Sequence, residues 1–252
     1  MGRSSKSLQA ARSPFYTAFA RKAVVRTASS PKTGLVQATN GNLYGTTVSG
    51  GAYGDGTIFE ITTSGTPTTL YNVCSQSGCP NGNYLIAGPI QATDGNLYGI
   101  MDVCGAHGSR TIFKITLSGT LTTLYNFCSQ SGCTDGQYPG GGLVQSTDGN
   151  LYGTTADGGA NGEGTVFSLS VGPGPFVKPQ PAAAKIGATV NILGTDLTGA
   201  IGVSFNGKVA TFTVVSSSEI TTTVPSDATT GEVEVVTPSG MLSSNVSFRV
   251  LP

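Results

Sequence analysis

The sequence predicts an all-β protein, an incomplete β-propeller-like array of four-stranded repeats followed by an immunoglobulin-like β-sandwich. Three observations carry this. A phrase beginning at Gly34, Gly88 and Gly142 recurs at a fixed period of 54 residues, and a period of that size marks stacked supersecondary units. Glycine supplies 37 of the 252 residues and charged residues only 10%, while Thr and Ser crowd the intervals, a composition suited to strands and tight turns and poorly suited to helices. Beyond residue 182 the pattern changes to short strands separated by Asn206-Gly207, Thr230-Gly231 and Ser239-Gly240, the signature of a small sandwich.

Composition divides the chain. Residues 1–33 hold seven Lys/Arg and no acid; no uninterrupted apolar run of signal-peptide length occurs there, so they read as a disordered basic leader, with a targeting arm as the alternative. Residues 34–170 are the repeat array, in copies at 34–87, 88–141 and a partial 142–170. The proline-rich stretch 171–181 reads as a stiff linker, and 182–252 as the second folded domain. Outside the leader six Lys/Arg face thirteen Asp/Glu, a net charge near −7, which argues against a nucleic-acid partner. No run approaches the roughly 18 apolar residues of a membrane span.

Each period resolves into four strand-sized pieces, in the second copy 89–93, 96–101, 111–116 and 120–125. Between the first two sit Asn40-Gly41, Asp94-Gly95 and Asp148-Gly149 in the three copies, the strongest short hairpin signal because both residues tolerate positive φ. Tyr44, Tyr98 and Tyr152, like Phe59, Phe113 and Phe167, recur once per unit, as core aromatics should. The third copy stops after Thr165–Ser170, before its fourth strand. Two full units and three strands leave terminal faces that need a cap, a partner chain or the C-terminal domain.

The phrase Gly34-Leu-Val-Gln-Ala-Thr-Asn-Gly-Asn-Leu-Tyr-Gly45, continued by Thr46-Thr47 and by Gly50-Gly-Ala-Tyr-Gly-Asp-Gly-Thr-Ile-Phe59, resembles the bacterial GloVer (Gloeo-Verruco) tandem repeat of choice-of-anchor proteins. The resemblance covers residues 34–170 and implies an exported, surface-associated protein without established enzymatic activity.

Cys74-Ser-Gln-Ser-Gly-Cys79 returns as Cys128-Ser-Gln-Ser-Gly-Cys133. Each pair brackets a loop after the fourth strand, where a local disulfide can staple a turn with little apolar material. Four thiolates converging on one zinc ion, or free thiols in a reducing compartment, are the alternatives. Cys104 and His107, three residues apart in the second glycine-rich loop, invite a metal or nucleophile reading, but no second His or clustered carboxylate accompanies them, and drift in one loop accounts for both. The stretches Gly50–Gly56 and Gly158–Gly164 precede strands rather than helices, so they are loops and not phosphate cradles. Their acids Asp55 and Glu163, with Asp94 and Asp148, are thin coordination for calcium.

The C-terminal segment, through Gly187, Val190, Ile192, Gly194, Phe205-Asn-Gly207, Ala210, Ile220, Val224-Pro225, Gly231, Val233, Val235 and Gly240, resembles the IPT/TIG family of immunoglobulin-like domains. That implies a structural or adhesive module of bacterial surface proteins and of some carbohydrate-active enzymes. The function expected is therefore non-enzymatic: an exported or cell-surface β-repeat protein for adhesion or for polymer or carbohydrate binding. The expected partner is a surface polysaccharide or a protein, or self-association through open repeat faces, with no catalytic residue, cofactor or metal. The alternatives are part of an extracellular carbohydrate-active enzyme, with Asp94, Asp102, Asp148 and Asp157 as candidate carboxylates, and an architectural spacer.

Overall fold

The structure is a computed structural model that describes residues 28–29, 33–75, 79, 83–102, 108, 110–172 and 174–252. Most of the basic leader, together with Cys104 and His107, lies outside the described residues. The first copy, with β1 (Ala28–Ser29) just ahead of it, contains β2 (Val36–Gln37), β3 (Leu43–Thr47), β4 (Ser49–Gly50), β5 (Thr57–Ile61) and β6 (Pro67–Asn72). The second sheet contains β7 (Asn83–Leu85), drawn from the end of the first copy, then β8 (Ile90–Gln91), β9 (Leu97–Asp102), β10 (Thr111–Ile115) and β11 (Leu121–Asn126). The third has β12 (Gln137–Pro139), drawn from the end of the second copy, then β13 (Val144–Gln145), β14 (Leu151–Asp157) and β15 (Val166–Leu169).

Within a copy the strands pair antiparallel in chain order, as β2-β3-β5-β6 and, in the second sheet, β8-β9-β10-β11. The four strands expected of each full period are present. The structure adds a fifth piece: β7 and β12 each pair with the far half of the long central strand, β9 or β14. The backbone of β1, inside the segment read as leader, pairs with β4 in the first copy.

Two sequence features explain the sheet interior. The glycine that ends each Asn-Leu-Tyr-Gly phrase stands opposite the recurring phenylalanine, as Gly45 with Phe59, Gly99 with Phe113 and Gly153 with Phe167. The ring lies across the glycine so closely that a Cβ at Gly99 would fall 2.6 Å from Phe113 Cζ, so only glycine fits beneath it. Such aromatic cover of a strand glycine is a device of twisted sheets. The second feature is a hydroxyl pair, Thr47 with Thr57 at 3.0 Å and Thr155 with Thr165 at 2.9 Å, in which Thr47 and Thr155 also accept the partner's amide. In the second copy Met101 replaces the first threonine and is fully buried.

Contacts among the described residues form two compact units, Met1–Gln91 with Gly95–Gly142 and Thr155–Thr165, and Ala92–Asp94 with Leu143–Thr154 and Val166–Pro252. In the first, one core spans two copies: Ala38, Tyr44, Ile58, Val73 and Leu85 from the first pack with Leu97, Met101, Phe113 and Ile115 from the second. The larger of these side chains, from Val73 to Phe113, each contribute roughly 1.5–3 kcal/mol on full burial, which neither sheet gains alone.

The second unit carries the immunoglobulin-like domain, with β16 (Lys178–Gln180), β17 (Ala183–Lys185), β18 (Thr189–Leu193), β19 (Gly202–Phe205), β20 (Lys208–Val209), β21 (Phe212–Ser216), β22 (Glu219–Thr223), β23 (Val233–Thr237), β24 (Gly240–Ser243) and β25 (Arg249–Leu251). Sheets β16-β18-β22-β21 and β20-β19-β23-β24 enclose a core that includes Val190, Ile192, Val203, Phe205, Ile220, Val233, Val235 and Phe248, with Phe205 and Phe248 edge to face at 4.9 Å. The stretch read as a linker departs from that expectation: Phe176 and Val177 are buried and residues 178–180 form β16. An edge strand tolerates prolines because only one side must bond. In the same unit the third copy's hairpin turn meets this domain, Thr147 Oγ1 lying 2.8 Å from Thr195 Oγ1 while the Thr147 carbonyl accepts the Phe176 amide at 2.9 Å.

Candidate functional site

The tyrosines of the Asn-Leu-Tyr-Gly phrases are structural. Tyr44 and Tyr98 have no exposed surface. Tyr44 donates to Glu60 at 2.7 Å and accepts from Asn40, and Tyr152 donates to Asp148 at 2.7 Å. The first residue of the turn therefore has two roles, forming the hairpin and anchoring the phenol. Asp148 also accepts from the Asn150 amide and side chain. Burial would raise the Asp148 pKa, but hydrogen bonds from Tyr152 and Asn150 hold it below the ordinary carboxylate value. Asp102 forms an ion pair with Arg110 at 2.7 Å. These carboxylates are engaged in holding the fold.

A different pair of tyrosines faces solvent. Tyr84 in β7 and Tyr138 in β12 occupy equivalent positions one period apart, are 39% and 36% exposed, and are followed by the buried residues Leu85 and Pro139. Both hold left-handed backbone, with φ of 47° and 55°, a conformation that costs a non-glycine residue about 1–2 kcal/mol. Tyr84 is the extra residue where the pairing of β7 with β9 shifts register, and such a bulge re-aims a side chain away from the sheet. The buried side chains on the Leu85 side stay in the core while the ring is turned outward.

The surroundings come from two loops. The Tyr84 amide donates to the Asp55 carbonyl at 3.2 Å, which sets it beside the first glycine-rich loop, where Tyr53 is 57% exposed. Cys74 and Cys79 stand at disulfide distance, with Cα atoms 4.5 Å apart, as do Cys128 and Cys133 at 4.1 Å. All four cysteines hold positive φ. The two pairs do not converge on one another; each closes its own loop. The Asp55 carboxylate lies within 4.8 Å of both sulfurs of the first pair, but sulfurs bonded to each other offer no thiolate to a metal. Arg110 lies over the Tyr138 ring at 5.5 Å and donates to the Pro139 carbonyl at 2.9 Å.

Asp135 fixes the second cysteine loop. It accepts from the Tyr125 hydroxyl, the Ser129 hydroxyl and amide, and the Gln130 amide. Burial opposes its charge, but hydrogen bonds from Ser129 and Tyr125, and then from the backbone, prevail and lower its pKa to about 2. The Cys133 carbonyl accepts from both Gly136 and Gly159, so this loop rests on the third copy's glycine-rich loop. Sequence reasoning missed Tyr84 and Tyr138; their recurrence at the 54-residue period was the available signal.

A family model described as the Gloeobacter/Verrucomicrobia repeat matches residues 8–184. The chain belongs to the Gloeobacter/Verrucomicrobia repeat family. An IPT/TIG domain model matches residues 177–250 of this repeat protein, and neither matched family is a catalytic one. No curated protein matches the repeat chain in sequence. Among solved structures, a γ-CGTase from alkalophilic Bacillus clarkii is 18% identical over 62% of this chain and 24% of its own, at a TM-score of 0.30. A fungal alcohol oxidase of the AA5 family, in complex with copper, is 17% identical over 84% of this chain and 52% of its own, at 0.32. A putative gluconolactonase is 16% identical over 83% and 72%, at 0.34. The chain thus spans less than two thirds of the first two, and at these scores none bears on its activity. Among the described residues no helix is long and apolar enough to cross a membrane.

Proposed function

We infer that this repeat protein is a non-enzymatic, exported or cell-surface binding module, and that the edge bearing Tyr84 and Tyr138 holds a polymer, with a surface polysaccharide the best fit. One observation carries this: two equivalent tyrosines, one per repeat, are held outward in left-handed backbone that glycine would adopt without cost. An exposed aromatic in a strained conformation gains little packing reward, Tyr138 having the Arg110 guanidinium over its ring. A sugar ring stacked on its face supplies one, since the phenol offers an apolar body and a polar tip. Repetition along the array suits a repeating ligand, because weak sites act together when one chain spans them. The paired cysteines support an oxidising compartment outside the cytoplasm.

The test is affinity electrophoresis against a panel of bacterial and plant polysaccharides. With a retarding polysaccharide, Tyr84→Ala and Tyr138→Ala should each weaken binding by roughly three- to tenfold, and the double variant should migrate as it does without ligand. Tyr84→Gly separates binding from folding: it should lose binding while unfolding at the same or a higher temperature, because it relieves the left-handed residue. Undiminished retardation of the double variant would refute the assignment. Turnover of any polysaccharide would move the protein into the carbohydrate-active class.

A further inference from the structure

The repeats are joined by a side-chain clasp that recurs with the sequence period. Gln91 Oε1 accepts the Thr39 amide at 2.8 Å while its Nε2 donates to the Gly95 carbonyl at 2.8 Å. Gln145 does the same one period on, accepting the Thr93 amide at 2.9 Å and donating to Thr93 Oγ1 at 3.1 Å and the Gly149 carbonyl at 3.0 Å. The glutamine of one copy therefore reads the hairpin turn of the copy before it. At the first joint backbone contact accompanies the clasp, since a Cβ at Gly88 would lie 2.7 Å from the Gly34 carbonyl oxygen, whereas at Gly142 nothing lies within 4 Å of one. The residue two before each glutamine is buried there, Pro89 in the second copy and Leu143, 6% exposed, in the third.

The first copy has the same half of this device without a counterpart. Gln37 Nε2 donates to the Gly41 carbonyl at 3.1 Å, as in its sister copies, but the side chain is exposed and its Oε1 accepts nothing among the described residues. Leu35, equivalent to Pro89 and Leu143, is 51% exposed. We propose that the face carrying Leu35 and Gln37 is a docking surface for one further repeat of the same kind, whose Thr-[Asn/Asp]-Gly turn delivers its threonine amide to Gln37 Oε1 and covers Leu35. A second, intact copy of this chain is not that occupant. Two of its turns have the threonine amide already taken, Thr39 by Gln91 and Thr93 by Gln145, and the third packs on the immunoglobulin-like domain through the Thr147 hydroxyl, to Thr195, and carbonyl, to Phe176. The fit is to a repeat of this kind whose turn is free, carried on another polypeptide.

The first arm of the test uses the chain as it is. Gln91→Ala and Gln145→Ala should each lower the unfolding temperature by about 3 °C, the effect of one lost hydrogen-bond clasp, whereas Gln37→Ala should leave it within about 1 °C. Equal losses at all three positions would show that the Gln37 face is already covered and overturn the proposal. The second arm places an extra copy of residues 34–87 directly before Gly34 in the full chain, keeping the 54-residue period. Gln37→Ala should then become as damaging as Gln91→Ala, and exchange of the Gln37 side-chain amide should slow at least tenfold. No change at Gln37 in a folded extended chain would overturn it. So would a dimer of the unextended chain that Gln37→Ala dissolves, which would make a second copy the occupant.

Discussion

Replacing Gly99 by alanine adds one methyl group at the most crowded point of the second sheet. Gly99 does not hold left-handed backbone, so the substitution introduces no φ strain and tests space alone. The new Cβ would lie 2.6 Å from Phe113 Cζ and 2.8 Å from Cε1. The ring cannot retreat, because Phe113 is fully buried in the core shared with Leu97, Met101 and Ile115. Overpacking of this kind costs about 1–3 kcal/mol, against about 0.4–1 kcal/mol gained by stiffening the unfolded chain, leaving a net loss of about 1–2 kcal/mol. For a unit of this size that lowers the unfolding temperature by roughly 2–8 °C, measurable by calorimetry with near-ultraviolet circular dichroism reporting the aromatic core. Phe113→Leu supplies the control. Alone it costs about 1–2 kcal/mol for lost packing, but it vacates the space the methyl needs, so the double variant should fall short of additivity by about 1 kcal/mol. Gly99→Ala that raises the unfolding temperature, or a cycle additive within about 0.5 kcal/mol, would refute the account of the phrase's final glycine.

The cysteine loops and Asp135 give two further expectations. Intact mass after alkylation without reduction should show two disulfides and one alkylated thiol; five alkylated thiols would remove the pairing and the oxidising compartment with it. Cys133→Ser should cost about 2 kcal/mol at most, because closing so short a loop constrains the unfolded chain little. The Asp135 pKa is lowered in the folded state from 3.8 to about 2, so its support of the loop is fully present above about pH 4 and is lost as pH falls through about 2. Amide exchange at Ser129 and Gln130 should accelerate across that window beyond its intrinsic pH dependence. In Asp135→Asn it should be fast at neutral pH and show no such step, and an unchanged profile would contradict the assignment.

The strand plan was legible because its signals are local. Asn-Gly and Asp-Gly turns mark hairpins, and the period of 54 residues repeats the same four segments, so β8 to β11 fall where the alternation placed them. The parts that escaped depend on long-range pairing. β7 and β12 are three residues each and pair across a bulge or a short ladder, with no alternation to read. β16 hides in a proline-rich stretch because an edge strand needs amides on one side only. The site was less legible than the fold. Attention fell on the tyrosines of the repeated phrase, of which Tyr44 and Tyr98 are buried and Tyr152 half-buried, while the exposed tyrosines stand in segments whose register only the paired strand reveals. Asp148 read as a turn former, and it is one, but its contact with Tyr152 requires the fold.

Comparison of the three copies separates what holds the array together from what it displays. The glycine under phenylalanine is present in all three, and the glutamine of the second and third reads the turn before it. These face the interior or the neighbouring copy, where a change of one atom is felt. On the loop edge the equivalent positions differ: Tyr53, His107 and Asn161 at one, Asp55, Ser109 and Glu163 at another, Gly56, Arg110 and Gly164 at a third. A scaffold constrained at its joints and free at one edge can vary its surface chemistry without altering its stacking. On that edge Tyr84 and Tyr138, like the paired cysteines, are the same residue in the same left-handed conformation in successive copies. The proposed polymer contact accounts for two such tyrosines held at that cost, whereas a spacer places no demand on them.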